Sequence, residues 1–353
     1  MDKFDFEKKE ATPEWLTSVL LKNGFLSKGE VTSIEQEITL SGAGAASTFF
    51  SLKINYSRES LGNPPSNIIM KMMKPEFYDI THKEIDFYND AMNTKVPLPL
   101  LTCYGTEKSP ETKQGYLLLE DLTDTHHPIQ EVTQDQGEAA IKEAITVLAK
   151  VHAYWWNHSS FGESASETHS EEGVRNVIQQ LEKLYPQFAD FLGDQLSEKR
   201  KKTYDLVFEK LPELLGKRLS STKRLTLVHG DAHLGNFLFP NHKDEDQCIL
   251  LDWQNWEIGW GVRDLSYMIS LNMPPEIRQT VEEPILKFYL EEIQKQQIDY
   301  ICKDLQTDYR ICVISNLLIP VAQYSAKVSS SIWRLNIERG FAAFEDLDCL
   351  ELL

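Results

Sequence analysis

Apolar residues recur along the chain in two rhythms, one helical and one strand-like. Trp15, Leu16, Val19 and Leu20 stand at helical spacing behind Thr12 and Pro13 and ahead of Gly24. That order predicts a first helix with Thr12 as N-cap, Pro13 in its first turn and Gly24 past its end. From there to about residue 119 the apolar runs are short. Residues 38–40 predict a strand that runs into the small-residue turn 41–48, and residues 49–56 and 67–73 predict two more. The stretch 58–66, with Gly62, Pro64 and Pro65, reads as a loop. A helical stretch near 82–92, a strand over 100–104 entered through Pro97 and Pro99, and a strand over 116–119 follow, before the connector 120–124.

Beyond about residue 130 the helical period takes over. Ile141, Ile145, Leu148, Val151 and Trp155 mark one face of a helix over 138–156, and residues 171–216 predict more helices, broken around Pro186 and Gly193. One group of β segments interrupts them, at 225–228, 237–239 and 248–251, with 240–247 as a polar turn; from 264 on the pattern is helical. A β-rich first third followed by a mainly helical remainder is an α+β chain.

Composition narrows the class. At 353 residues the chain is long enough for two domains, or for one domain with two lobes. Lys and Arg number 36 against 54 Asp and Glu, for a net charge of −18, which argues against nucleic acid and anionic membrane as partners. The five cysteines are odd in number and form no C-x-x-C pair, so buried free thiols in a reducing compartment are expected. The first residues are acidic, without the apolar core of a secretory signal. The most apolar stretch, 311–322, is too short to span a bilayer and is interrupted by Ser315, Asn316 and Pro320. A cytoplasmic protein is the expectation.

The chemistry concentrates in His229-Gly230-Asp231-Ala232-His233-Leu234-Gly235-Asn236 and, after a hairpin, Leu250-Leu251-Asp252-Trp253-Gln254. Phosphoryl transfer needs a carboxylate to receive the acceptor's proton and oxygen ligands to hold Mg²⁺ against the nucleotide phosphates. Kinases set that carboxylate two residues after a His and five before an Asn that binds metal. His229, Asp231 and Asn236 reproduce both intervals, and Asp252 stands where a second metal ligand belongs.

These segments resemble the aminoglycoside phosphotransferase and choline kinase group, small-molecule kinases of protein-kinase-like fold. Leu117 to Leu122 and Leu148 to Trp156 are most similar to its ecdysteroid-kinase-like (CHK) subgroup. The resemblance runs from about Trp15 to the C-terminus. It implies a two-lobed fold, a β-rich N-lobe over 1–121 and a mainly helical C-lobe over 122–353, with ATP between them. It further implies Asp231 as catalytic base assisted by Asn236, with Asn236 and Asp252 as Mg²⁺ ligands. Lys71 resembles the lysine on the α/β-phosphates, Glu84 its ion-pair partner, and Gly42, Gly44 and Ser47 the glycine-rich loop over the phosphates. Glu120 to Leu122 resemble the hinge that holds adenine, while His229 and Asp264 resemble residues supporting the catalytic loop. Gly230 replaces the Arg of H-R-D, Asp-Trp-Gln replaces D-F-G and no A-P-E follows, all of which disfavours a protein substrate.

Several positions carry a plainer reading beside the functional one. Lys71 competes with Lys53 and Lys74, and Gly42 and Gly44 also suit an ordinary hairpin turn. His152 reads as an interhelical core histidine, and the run Lys199 to Lys202 as a solvated helix face. His233, Trp253, Trp256 and Trp260 are candidates for the acceptor pocket, as a cage for a choline-like cation or a wall for an apolar or aromatic alcohol; Trp burial makes core packing equally natural. An aminoglycoside-like acceptor would instead want an acidic cleft. Two alternatives stay open: a non-catalytic nucleotide-binding pseudokinase, and a metal-dependent hydrolase built on His229, Asp231, His233 and Asp252. Oligomeric state is not legible.

Overall fold

The computed structural model describes residues 4–39, 46–94, 97–129, 137–158, 171–219, 224–242 and 247–353. The chain divides into two compact units. The first comprises Met1–His127 with Leu238–Asn255, and the second Pro128–Phe237 with Trp256–Leu353.

The first unit opens on helix α1 (Pro13–Lys22), where the Thr12 hydroxyl accepts from the Trp15 N–H at 3.3 Å as N-cap. Strands β1 (Leu26–Lys28), β2 (Val31–Ile38), β3 (Ser47–Tyr56), β4 (Leu61–Gly62) and β5 (Asn67–Met73) follow. After them come α2 (Tyr78–Thr94), β6 (Cys103–Ser109), β7 (Gln114–Glu120) and β8 (His126–Pro128). Among the described residues, five strands form an antiparallel sheet in the order β2-β3-β5-β7-β6. Successive side chains on a strand face opposite ways. Ile68, Met70 and Met72 of β5 accordingly pack with Trp15, Leu16 and Leu20 of α1 in one core. Ile69, Lys71 and Met73 turn to the other face, where Ile85 of α2 lies against Gly115 of β7.

The second unit holds α3 (Gly137–Tyr154), α4 (Glu171–Leu192), α5 (Glu198–Leu219) and β9 (Thr226–Val228). The chain then lends the hairpin β10 (Phe237–Pro240) and β11 (Ile249–Leu250) to the first unit, where it lies beside β8. It returns with β12 (Glu257–Gly259), α6 (Val262–Ser266), a π-helical turn (Tyr267–Leu271), α7 (Pro275–Lys295), α8 (Cys302–Asn316), α9 (Ile319–Ser325) and α10 (Ser330–Asp346). No helix among the described residues is long and apolar enough to cross a membrane.

Five local expectations are corrected. The strand expected at 38–40 ends at Ile38 and begins at Val31, because β2 has one buried residue and its polar side chains hid it. The strand expected over 100–104 spans Cys103–Ser109, set by its pairing with β7. Part of the expected loop 58–66 is strand β4, paired to β1. Helix α4 passes through Pro186 without a break and ends at Leu192, ahead of Gly193 at φ +52°. The single β insert is two separate pairings: β9 pairs with β12, and β10 with β11 and β8.

Candidate active site

In the first unit the chemistry gathers around Lys71. The strand's alternation aims its side chain at α2, where the ammonium donates to Glu84 Oε2 at 2.6 Å and to Asp252 Oδ1 at 2.6 Å. Lys71 and Glu84 are buried, at 5% and 1% exposure, and the Phe49 ring lies 5.8 Å from the ammonium. Burial alone would lower the Lys71 pKa, but the charges of Glu84 and Asp252 outweigh it and hold the group above its ordinary value. Burial in turn raises the Glu84 carboxyl, with Lys71 working against that rise. The contact geometry is that of a charge-assisted pair, so Lys71 stands as a cation between two carboxylates. Lys53, by contrast, is an exposed residue beside Glu35 at 3.8 Å.

Asp252 leaves β11 in the left-handed region, with φ +62°. A non-glycine residue there costs about 1–3 kcal/mol and persists only where the surroundings over-determine it. Lys71 takes one carboxylate oxygen, and Gln254 Nε2 donates to the other at 3.3 Å. The next residue, Trp253, is fully buried, stacked on Phe87 at 4.1 Å, with its indole N–H donating to the Leu250 carbonyl. It is core of the first unit, and as an acceptor-pocket wall it is withdrawn.

In the same sheet, between β5 and β6, Glu120 closes β7. Its N–H donates to the Thr102 carbonyl at 2.9 Å, and its carboxylate accepts from the Thr102 N–H at 3.1 Å. The Leu122 carbonyl accepts from the N–H groups of Thr125 and His126. Ser47 begins β3 with its hydroxyl buried and without a partner among the described residues. Gly42 and Gly44 lie outside the described residues.

In the second unit the loop from His229 to Asn236 is wrapped around Asp264. Asp264 is fully buried; its Oδ2 accepts from the His229 N–H at 2.7 Å and its Oδ1 from the Gly230 N–H at 2.9 Å. The second bond needs Gly230 at φ +80°, a conformation glycine adopts without steric cost. His152 Nε2 adds a third bond to Asp264 at 3.1 Å, and the Tyr289 hydroxyl meets His152 Nδ1 at 2.9 Å. Burial by itself would raise the Asp264 carboxyl; His152 and the His229 N–H outweigh it and hold the group below its ordinary value.

On that frame the Asp231 N–H donates to His229 Nδ1 at 3.3 Å. Asn236 Nδ2 donates to the Asp231 carbonyl at 2.8 Å and reaches its Oδ2 at 3.5 Å, which leaves the amide oxygen of Asn236 out of both bonds. His233 Nε2 stands 4.0 Å from Asp231 Oδ2 with the ring half-buried. Trp260 is buried, with the Arg218 guanidinium 4.7 Å from its ring, so that face already carries a cation. Trp256 is half-buried.

The structure thus brings Lys71, Glu84 and Asp252 together in one unit, and His229, Asp231, Asn236 and Asp264 together in the other. Sequence reasoning missed the part of His152, treated as a core histidine. It lies on a helical face where an apolar period masks a polar contact. A cavity of about 430 Å³ in the second unit, lined by Phe191, Tyr324 and Trp333, contains none of the expected site residues.

A model described as the ecdysteroid kinase-like family matches residues 41–300. No curated protein matches the chain. Among solved structures, a Ralstonia eutropha protein assigned as an aminoglycoside phosphotransferase has a TM-score of 0.57 at 14% identity, covering 95% of this chain and 97% of that one. A Plasmodium vivax ethanolamine kinase has a TM-score of 0.54 at 13% identity, covering 90% and 82%. The GDP complex of an aminoglycoside 2′-phosphotransferase has a TM-score of 0.52 at 13% identity, covering 97% and 100%. At these identities the likeness is one of fold.

Proposed function

This chain belongs to the ecdysteroid kinase-like family, and we propose that it is an ATP-dependent phosphotransferase acting on a hydroxyl of a small molecule. The observation that carries this is the pair of constellations: a buried lysine held between Glu84 and Asp252, and a buried aspartate that shapes the loop presenting Asp231 and Asn236.

Each residue then has a task set by its contacts. Lys71 is a cation at every working pH and binds nucleotide phosphates. Ser47 brings to the start of β3 a buried hydroxyl without a partner among the described residues, and we assign it to the phosphates. Glu120 and the Leu122 N–H serve adenine, since the Leu122 carbonyl is already taken. Asp231 orients the acceptor hydroxyl and receives its proton. Asn236 and Asp252 would supply the oxygens a hard cation requires, which suits Mg²⁺, an ion that takes one or two protein oxygens beside substrate phosphates. When bound, it neutralises phosphate charge during transfer. We place the protein in the cytoplasm, with a small hydroxyl compound as its partner.

ADP release from Mg-ATP, screened against hydroxylated metabolites that include choline-like amines, aminoglycosides and apolar alcohols, tests the proposal. Acceptor-stimulated release should fall by about 10²-fold or more in Asp231→Asn, the range of general-base contributions, with nucleotide binding retained. Binding of Mg-ATP without release by any acceptor would favour the pseudokinase alternative, and undiminished release by Asp231→Asn would remove that residue from the chemistry.

A further inference from the structure

We infer that Gln254 is the residue that positions the Asp252 carboxylate for metal, an assignment that rests on the phosphotransfer proposed above. Gln254 stands two residues past Asp252, where the D-F-G pattern of protein kinases carries a glycine and so no side chain. The Asp252 carboxylate meets two donors in the first unit, one on each oxygen. The Lys71 ammonium reaches Oδ1 at 2.6 Å and Gln254 Nε2 reaches Oδ2 at 3.3 Å. A carboxylate gripped at both oxygens is held against rotation, and each oxygen keeps a second lone pair for a cation. The two donors are not equivalent. Lys71 is shared with Glu84 at 2.6 Å and, in the proposed reaction, with the nucleotide phosphates. Gln254 is neutral, so phosphate does not draw it away, and it stays on Oδ2 when Lys71 turns to the nucleotide.

The backbone holds Gln254 to that task. Trp253–Asn255 form a 3₁₀ turn directly after Asp252, which enters it at φ +62°, a conformation a non-glycine residue keeps only where its surroundings fix it. Trp253 anchors the turn. Its buried ring stacks on Phe87 at 4.1 Å with 9° between the planes, and its indole N–H donates to the Leu250 carbonyl at 3.1 Å. Phe87 lies three residues beyond Glu84 on α2, an interval that puts both on one helix face. That face fixes Lys71 through Glu84 and the turn through Phe87, so Asp252 is set between two anchored elements with Gln254 half-buried beside it. Without a donor at 254, only the shared Lys71 would orient the carboxylate.

Gln254→Met keeps the length of the side chain and deletes its donor. Binding of a fluorescent ATP analogue, titrated with Mg²⁺, reads the effect without turnover. The Mg²⁺ concentration that gives half-maximal tightening should rise about ten- to hundredfold, the usual loss when a residue supporting a metal ligand is removed. Binding of the analogue in EDTA should be unchanged. In the Asp252→Asn background the same substitution should raise the Mg²⁺ requirement no further. An unchanged Mg²⁺ requirement, an equal loss of binding in EDTA, or a full additional loss in the double variant would overturn the assignment. A parallel cycle of urea midpoints needs no nucleotide: the double variant should lose less than the sum of the single ones, and strict additivity would overturn the contact. Wild-type protein that binds no nucleotide would sink the phosphotransfer proposal alone, and the midpoint cycle would still decide whether Gln254 holds Asp252.

Discussion

Lys71 and Asp264 show how single buried charges organise this protein. Each is paid for by partners at hydrogen-bond distance, since an isolated charge out of water would neutralise. Asp264 accepts three donors, and deleting its carboxylate would leave two backbone N–H groups unpaired. We expect Asp264→Ala to cost about 3–5 kcal/mol in urea denaturation, the usual loss when one member of a buried polar pair is removed. The sign of the acid dependence follows from its lowered pKa. Its stabilisation is complete above the ordinary value of 3.8 and is lost as pH falls through the lower folded value. Between neutral pH and about pH 3, wild type should lose more of its urea midpoint than Asp264→Ala does, because the variant lacks that contribution. Equal losses would mean that Asp264 does not titrate below its ordinary value.

At the scale of elements, neighbours decide what each segment may contain. Gly261 precedes α6, and a Cβ there would fall 2.5 Å from the Tyr289 hydroxyl and 2.6 Å from His152 Nδ1. Gly261→Ala should therefore destabilise the protein by about 1–3 kcal/mol, the range for overpacking a filled site. It should also lower ADP release, by pushing His152 off Asp264. A midpoint and a turnover equal to wild type would show that the helices yield at no cost. Sequence pattern located the elements whose apolar faces are regular, such as α1 and β5, and failed where pairing overrode pattern. Strand β2 is largely polar because it lies at the sheet edge. Helix α4 tolerates Pro186 because it packs lengthwise on α5, which outweighs one missing backbone bond.

At the scale of the whole molecule, a net charge of −18 would face the polyanionic nucleotide of the proposed reaction. Long-range repulsion slows association and is screened by salt, with a Debye length near 10 Å at about 0.1 M. The association rate of a fluorescent ATP analogue with Mg²⁺, measured by stopped flow, should rise severalfold between about 20 and 200 mM salt. A fall would show that Lys71 and its surroundings outweigh the overall charge at the point of entry.

The residue types and intervals of His229, Asp231, Asn236 and Asp252 were legible without coordinates, because the proposed chemistry would need those groups in that order along one loop and hairpin. What waited on tertiary structure were contacts between residues far apart in sequence. They include Lys71 with Asp252, His152 with Asp264, Arg218 over Trp260, and the hairpin 238–255 counted with the first unit. Periodicity reports which face of an element is buried; it carries no term for the partner on the other side, and only packing supplies one.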